Sequence, residues 1–83
     1  LLQNYPNPFN PTTNINFMLP KAGMVKLRIF DILGIEITVL VDGFKHAGVY
    51  TVTFDATKYS TGIYFYTIEA GGFRQTKKML LVK

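Results

Sequence analysis

Length, composition and charge narrow the class of protein before any motif is considered. The chain has 83 residues, of which 48% are hydrophobic and 17% are charged, so it suits one folded domain and argues against intrinsic disorder. It has no cysteine, which excludes disulfides and thiolate metal sites, and its nine Lys and Arg residues are spread out, which argues against nucleic-acid binding. No apolar run reaches the ~20 residues of a membrane-spanning helix, so no membrane insertion is expected.

The first thirteen residues predict an extended entry segment. Its three prolines each fix φ, lack an amide donor and disfavour helix at the preceding residue. Tyr5 and Phe9 are too apolar for an ideal linker, so we expect both rings to dock on the body of the domain. The predicted organisation is an entry segment over residues 1–13 and a β-sandwich over residues 14–83.

Beyond the entry segment, apolar residues recur with a period of two, which predicts strands. The alternating runs cover residues 15–19, 25–29, 35–39, 50–54, 62–70 and 73–82. Asp31 and Gly34 stand at the first and fourth positions of a predicted type I turn, and Gly71 with Gly72 predicts a tight hairpin. The stretch from Asp42 to Gly48 also has the composition of a turn.

The spacing of these runs predicts how the strands pack. Strands that recur every 8–15 residues, separated by turn residues, are typical of a sandwich or barrel. The run from Gly62 to Ala70 is apolar on both faces and is expected to be a central strand. A single sheet would leave one of these faces bare, so two packed antiparallel sheets are the favoured all-β architecture.

The inventory of reactive side chains does not favour an enzyme. The single histidine, His46, cannot build a metal site alone, and Ser60 has neither a nucleophile motif nor a partner base. The five carboxylates form no cluster in the sequence, so neither a catalytic pair nor a calcium loop is predicted. We expect no catalytic residue, no metal and no cofactor.

Several segments, taken in order, carry a family resemblance. They are Tyr5–Thr13, Ile15–Pro20, Val25–Gly34, Gly48–Tyr50, Phe54–Ala56, Ser60–Tyr66 and Lys77–Lys83. Together they resemble the type A C-terminal sorting domain of the type IX (Por) secretion system, and the related immunoglobulin-like domain of the flagellar hook-capping protein. The resemblance covers essentially the whole chain. It implies an Ig-like antiparallel β-sandwich of about seven strands.

The resemblance also implies a function, a route and partners. The larger exported protein reaches the periplasm of a Gram-negative bacterium, and the domain directs it through the type IX outer-membrane translocon. The cargo domain is covalently continuous with the sorting domain on its upstream side. In the family, a sortase-like peptidase often removes the domain, and the cargo is then secreted or attached to the cell surface.

Three segments are candidates for translocon recognition because they match motifs of this family. They comprise Pro6, Asn7, Pro8 and Phe9; Gly62, Ile63 and Tyr64; and Lys78, Met79, Leu80, Leu81, Val82 and Lys83. Lys77 joins them because paired cations at Lys77 and Lys78 could steer association. The terminal strand also offers backbone groups for strand addition. The apolar residues of the last strand could instead complete the sandwich, and removing residues 79–83 is expected to block export while leaving the rest largely folded.

Two alternatives remain open at this point. The domain could be a structural Ig-like spacer, as in the hook-capping relative. It could also be a carbohydrate-binding accessory domain of a secreted enzyme, with Tyr50, Tyr64, Phe65 and Tyr66 as a sugar platform, although the absence of tryptophan counts against this.

Overall fold

A computed structural model describes all residues from 1 to 83 and has six strands and no helix. The strands are β1 (Thr12–Leu19), β2 (Gly23–Phe30), β3 (Glu36–Lys45), β4 (Gly48–Asp55), β5 (Gly62–Ala70) and β6 (Phe73–Leu81). The all-β prediction is confirmed, but the count is six rather than about seven. The entry segment adds no further strand, because its prolines cannot donate to a continuous ladder and it forms only isolated bridges.

The strands form two sheets that pack as a sandwich. The larger sheet has the order β3-β2-β5-β6 and the smaller sheet pairs β1 with β4, with every pairing antiparallel. Inward side chains from both sheets form one apolar core, in which Leu27, Ile15 and Tyr66 are fully buried. As predicted, β5 lies inside its sheet, between β2 and β6.

The two predicted tight turns are present. The Gly34 amide donates to the Asp31 carbonyl at 3.0 Å, and the Asp31 carboxylate accepts from the amides of Leu33 and Ile35 at 2.9 and 3.0 Å. Gly71 and Gly72 connect β5 to β6 with φ values of 54° and 80°, the left-handed region that a two-residue hairpin requires. These local contacts fix the register of both hairpins.

Strand β3 differs from the prediction in length and in phase. It runs to Lys45, so the predicted turn over residues 42–48 shrinks to the link between β3 and β4. The register against β2 shifts twice along β3, and each extra residue reverses which side chains face inward. Val39, which the alternation had placed inward, lies between the two shifts opposite Arg28 and is 38% exposed, whereas Val41 lies beyond the second shift opposite Leu27 and is buried. Ile35 was also placed inward, but it precedes β3 in the Asp31 turn and is 57% exposed.

The entry segment docks on the body through Phe9 but not through Tyr5. Phe9 is 2% exposed, and its ring centroid lies 6.0 Å from that of Phe54. The Tyr5 ring is 77% exposed, so half of the docking prediction is wrong. Tyr5 is instead held by its backbone, which exchanges two hydrogen bonds with Asn14 of β1, and the neighbouring Asn4 takes the buried position.

Candidate functional site

The three segments predicted for recognition lie side by side in the structure. The start of β5 pairs with the end of β6, with Gly62 opposite Leu81 and Ile63 opposite Leu80. The entry segment joins them through a parallel bridge between Phe9 and Leu81. Residues more than fifty positions apart thus form one continuous region, which we call the composite surface.

Main-chain hydrogen bonds hold the entry segment against the terminal strand. The Phe9 amide donates to the Leu80 carbonyl at 3.0 Å, and the Val82 amide donates to the Phe9 carbonyl at 2.9 Å. The Leu80 amide donates to the Asn7 side-chain oxygen at 3.0 Å, and the Gln3 side chain donates to the Lys78 carbonyl at 2.8 Å. The chain itself therefore satisfies the outward backbone groups at the end of β6.

Alternation along β6 divides its terminal motif into a buried half and an exposed half. Met79 and Leu81 point into the core and are 1% and 0% exposed, whereas Leu80 and Val82 are 38% and 43% exposed. The buried half completes the sandwich, as the alternative interpretation of these residues supposed. The exposed half is available to a partner.

The paired lysines separate for the same reason. Lys77 is half-buried on the inner face of β6, while Lys78 is exposed on the outer face. The only ion pairs in the structure join Arg28 to Glu36 and Glu69, so Lys78 is not neutralised by a carboxylate. Lys78 lines a cavity of about 150 Å³ together with Asn7, Ile63, Met79 and Leu80.

Tyr64, the third residue of its candidate segment, has a structural role. Its hydroxyl donates to the Ser60 carbonyl at 2.7 Å, four residues upstream. This contact resembles the tyrosine corner of immunoglobulin-like sandwiches. Tyr64 is 8% exposed and Tyr66 is fully buried, while Tyr50 stacks on Phe17 at 5.2 Å, so these tyrosines pack into the fold and form no sugar platform.

A buried polar network beneath the composite surface was not predicted from the sequence. The Tyr66 hydroxyl donates to the Leu2 carbonyl at 2.9 Å and accepts from the Asn4 amide at 2.8 Å. The Asn4 side chain donates to the Thr13 hydroxyl at 3.0 Å, and that hydroxyl donates to the Pro6 carbonyl at 2.8 Å. The phase of β1 could have revealed Thr13, because it shares the inward parity of Ile15 and Phe17.

This network predicts an alkaline loss of stability that depends on Tyr66. Burial raises the pKa of the Tyr66 phenol, so its contribution to stability is complete below about pH 10 and declines as the pH rises through the raised value. Tyr66→Phe should cost about 1–3 kcal/mol near pH 8, because Asn4 and Leu2 lose their buried partner. Urea unfolding of both proteins at pH 8 and pH 11 should show a smaller difference at pH 11, and a difference that grows with pH would contradict this.

The far end of the composite surface is fixed by the loop between β4 and β5. The Lys83 amide donates to the Thr61 hydroxyl at 3.1 Å, and the Lys83 ammonium donates to the Thr57 carbonyl at 2.5 Å. Hydrogen bonds from Thr57 lower the pKa of Asp55, which remains a carboxylate at neutral pH. The last residue is thus tied to the body.

The composite surface presents exposed side chains that a partner could contact. No group of three or more His, Cys, Asp or Glu side chains is close enough to hold a metal ion. The structure contains no helix with the length and apolar character needed to span a membrane. What the site does offer is a rigid set of exposed side chains held by two strands and the entry segment.

Comparisons with known proteins agree with the motif resemblance. The family model described as "Secretion system C-terminal sorting domain" matches residues 3–83. Searches of curated proteins and of solved structures found no match. A domain of this family is a type IX sorting signal carried by a cargo protein, which implies export of that cargo to the medium or the cell surface. The chain therefore belongs to the type IX secretion system C-terminal sorting domain family.

Proposed function

We propose that the composite surface is where the type IX outer-membrane translocon recognises this domain. The observation that carries the proposal is the meeting of three motif-matching segments, far apart in sequence, in one region. Packing alone does not require the exposed half of these segments to be apolar. Leu80 and Val82 nevertheless present large apolar side chains to solvent beside the cation of Lys78. Exposed apolar groups rimmed by polar ones are typical of a protein–protein contact.

The proposal also explains how one machine can handle many cargoes. The composite surface exists only when the sandwich is folded, because Phe9, Met79 and Leu81 hold its parts together from the core side. A translocon that reads it therefore recognises a folded domain, independently of the cargo. Rigid strands supply the positional precision that a recurring recognition event needs.

We further infer where a sortase-like peptidase could remove the domain after passage from the periplasm. Proteases need extended, accessible backbone, and cleavage concentrates in segments without hydrogen-bonded structure. Backbone hydrogen bonds begin at Leu2, whose amide donates to the Asn16 carbonyl at 2.9 Å, and further ones follow as far as Phe9. Cleavage before Leu2 would release the cargo, free for attachment to the cell surface, and leave the domain intact.

An export assay with matched surface variants tests the recognition site. The 83-residue chain is fused to a periplasmic reporter in a type IX-competent host, and Leu80→Asn and Val82→Asn are compared with Leu33→Asn and Val49→Asn. The control residues are 79% and 75% exposed and lie outside the composite surface. Losing one contact worth about 1–2 kcal/mol should reduce the secreted fraction roughly fivefold to thirtyfold in the first pair only.

Folding is checked in the same four variants by circular dichroism and thermal unfolding. All four should unfold cooperatively near the temperature of the parent, since each replaces an exposed side chain. Equal export of all four variants would contradict the assignment of the recognition surface. Failure of the fusion with the unaltered domain to be exported at all would contradict the sorting role in this host.

A further inference from the structure

The terminal strand has a second, uncovered stretch of edge ahead of the composite surface. Strand β6 is the last strand of the larger sheet, so one side of it has no neighbouring strand. Hydrogen bonds with Gln3, Asn7 and Phe9 satisfy outward-facing backbone groups of Lys78, Leu80 and Val82. Backbone groups of alternate residues point the same way in an antiparallel pair. The amides and carbonyls of Arg74 and Thr76 therefore also point outward, and no hydrogen bond from the entry segment uses them.

The side chains along this stretch are basic. Strand β6 carries Arg74, Lys77 and Lys78 and no acidic residue. Glu69, which lies opposite Arg74 in the register, is instead paired with Arg28. Arg74 and Lys78 stand on the same outer face, four residues apart, and neither forms an ion pair. The open edge thus combines unpaired backbone groups with uncompensated positive charge.

We propose that the edge of β6 from Arg74 to Lys78 is a strand-addition site for an extended acidic segment of a partner protein. Backbone groups of Arg74 and Thr76 would supply the main-chain pairing. Carboxylates four residues apart on the added strand would face Arg74 and Lys78, which selects an acidic segment over other extended chains. This site adjoins the composite surface and shares Lys78 with it, but its main-chain pairing uses Arg74 and Thr76, which lie outside that surface.

Charge also decides against a second copy of this chain as the occupant. Antiparallel pairing of β6 with β6 of another molecule, centred on Thr76, would place Arg74 of each copy opposite Lys78 of the other. Like charges directly opposite on adjacent strands are destabilising. Lysine on an edge strand is a common protection against such self-pairing. The same cations attract a strand that carries carboxylates.

Hydrogen exchange with a defined peptide tests the site on the purified 83-residue chain. The probe is an acetylated, amidated peptide Thr-Glu-Val-Thr-Val-Glu-Thr, and the control is the same peptide with lysine in place of both glutamates. We expect the acidic peptide to slow exchange of the Arg74 and Thr76 amides at least about tenfold at saturation. The amides of Phe73 and Gln75 already face β5 and should change little. Raising the salt concentration should weaken binding of the acidic peptide, and the lysine peptide should not bind.

A pair of variants at Thr76 isolates the role of the backbone. Thr76→Pro removes the outward amide and the hydroxyl contact to Thr67 at 2.8 Å, whereas Thr76→Val removes only the hydroxyl contact. Proline is tolerated where an edge amide faces solvent. Thr76→Pro should weaken binding roughly tenfold relative to Thr76→Val, as expected for loss of one net hydrogen bond.

Three results would overturn the proposal. The first is equal binding of the acidic and lysine peptides, and the second is unchanged exchange at Arg74 and Thr76 with saturating acidic peptide. The third is protection of these amides in the peptide-free chain together with a dimer in sedimentation, which would identify a second copy as the occupant. If Thr76→Pro fails to fold, the exchange measurement on the unaltered chain still decides.

Discussion

Phe9→Ala should remove a large share of the stability of the domain. The ring is 2% exposed, packs against Phe54 and lies where the entry segment meets β6. Truncating a buried phenylalanine to alanine typically costs about 3–5 kcal/mol. A domain of 83 residues has roughly 4–12 kcal/mol of stability in total, so this single change should consume a large share. Urea unfolding followed by circular dichroism measures the loss directly.

Tyr5→Ala provides the matched control within the same segment. The Tyr5 ring is 77% exposed, and its two backbone bonds to Asn14 survive truncation of the side chain. The expected change in unfolding free energy is within about 0.5 kcal/mol. A cost for Tyr5→Ala equal to that for Phe9→Ala would show that burial of the Phe9 ring does not attach the entry segment.

Removing residues 79–83 should abolish cooperative folding. The deletion takes away Met79 and Leu81, which are 1% and 0% exposed, at roughly 2–5 kcal/mol for each buried side chain. It also removes the Leu80 carbonyl and the Val82 amide, which bond to Phe9. Because these side chains are buried, we expect the truncated chain to unfold, whereas the sequence predicted that the rest of the domain would stay largely folded. Circular dichroism and thermal unfolding of the truncated chain provide the check.

The loss of folding limits what an export experiment on the truncated chain can show. A truncated chain that is not exported has lost its fold as well as its terminal motif, so the truncation does not identify the recognised residues. The exposed substitutions Leu80→Asn and Val82→Asn keep Met79 and Leu81 in place and separate the two effects. A truncated chain with a cooperative transition near that of the parent would contradict the role given to the terminal strand in the core.

Local patterns predicted most of the fold because local physics determines those parts. Alternation in β2 and β4 follows from side chains that point to opposite faces, and it places Leu27 and Phe54 in the core as expected. The Asp31 turn and the Gly71–Gly72 hairpin depend only on residues within the turn. The two apolar faces of β5 also sufficed to place it inside a sheet.

Features that depend on distant partners were not predictable in the same way. The alternation of β3 fails at Val39 because it lies between two register shifts against β2, and no local signal marks them. Ile35 is exposed because it lies in the turn before β3. The exposure of the Tyr5 ring depends on which strand the entry segment pairs with at that point. The buried position of Asn4 likewise depends on Tyr66, which lies 62 residues away in the sequence.

The candidate site shows the same division between local and long-range information. The motif resemblance identified the three segments individually, and the family match confirms the resemblance over residues 3–83. Their meeting follows from the strand order, which puts β5 beside β6, and from the bridge between Phe9 and Leu81. The opposite orientation of Lys77 and Lys78 follows from alternation, so the paired cations could have been separated from the sequence alone.

Amide hydrogen exchange at Phe9 and Val82 tests most directly whether the entry segment and the terminal strand form one surface. Both amides take part in the bonds that join these segments, with the Leu80 and Phe9 carbonyls as acceptors. They should exchange at least about a hundredfold more slowly than in an unfolded peptide, and both should lose protection in Phe9→Ala. Exchange of both amides at the unfolded rate, while amides of β5 remain protected, would contradict the composite surface.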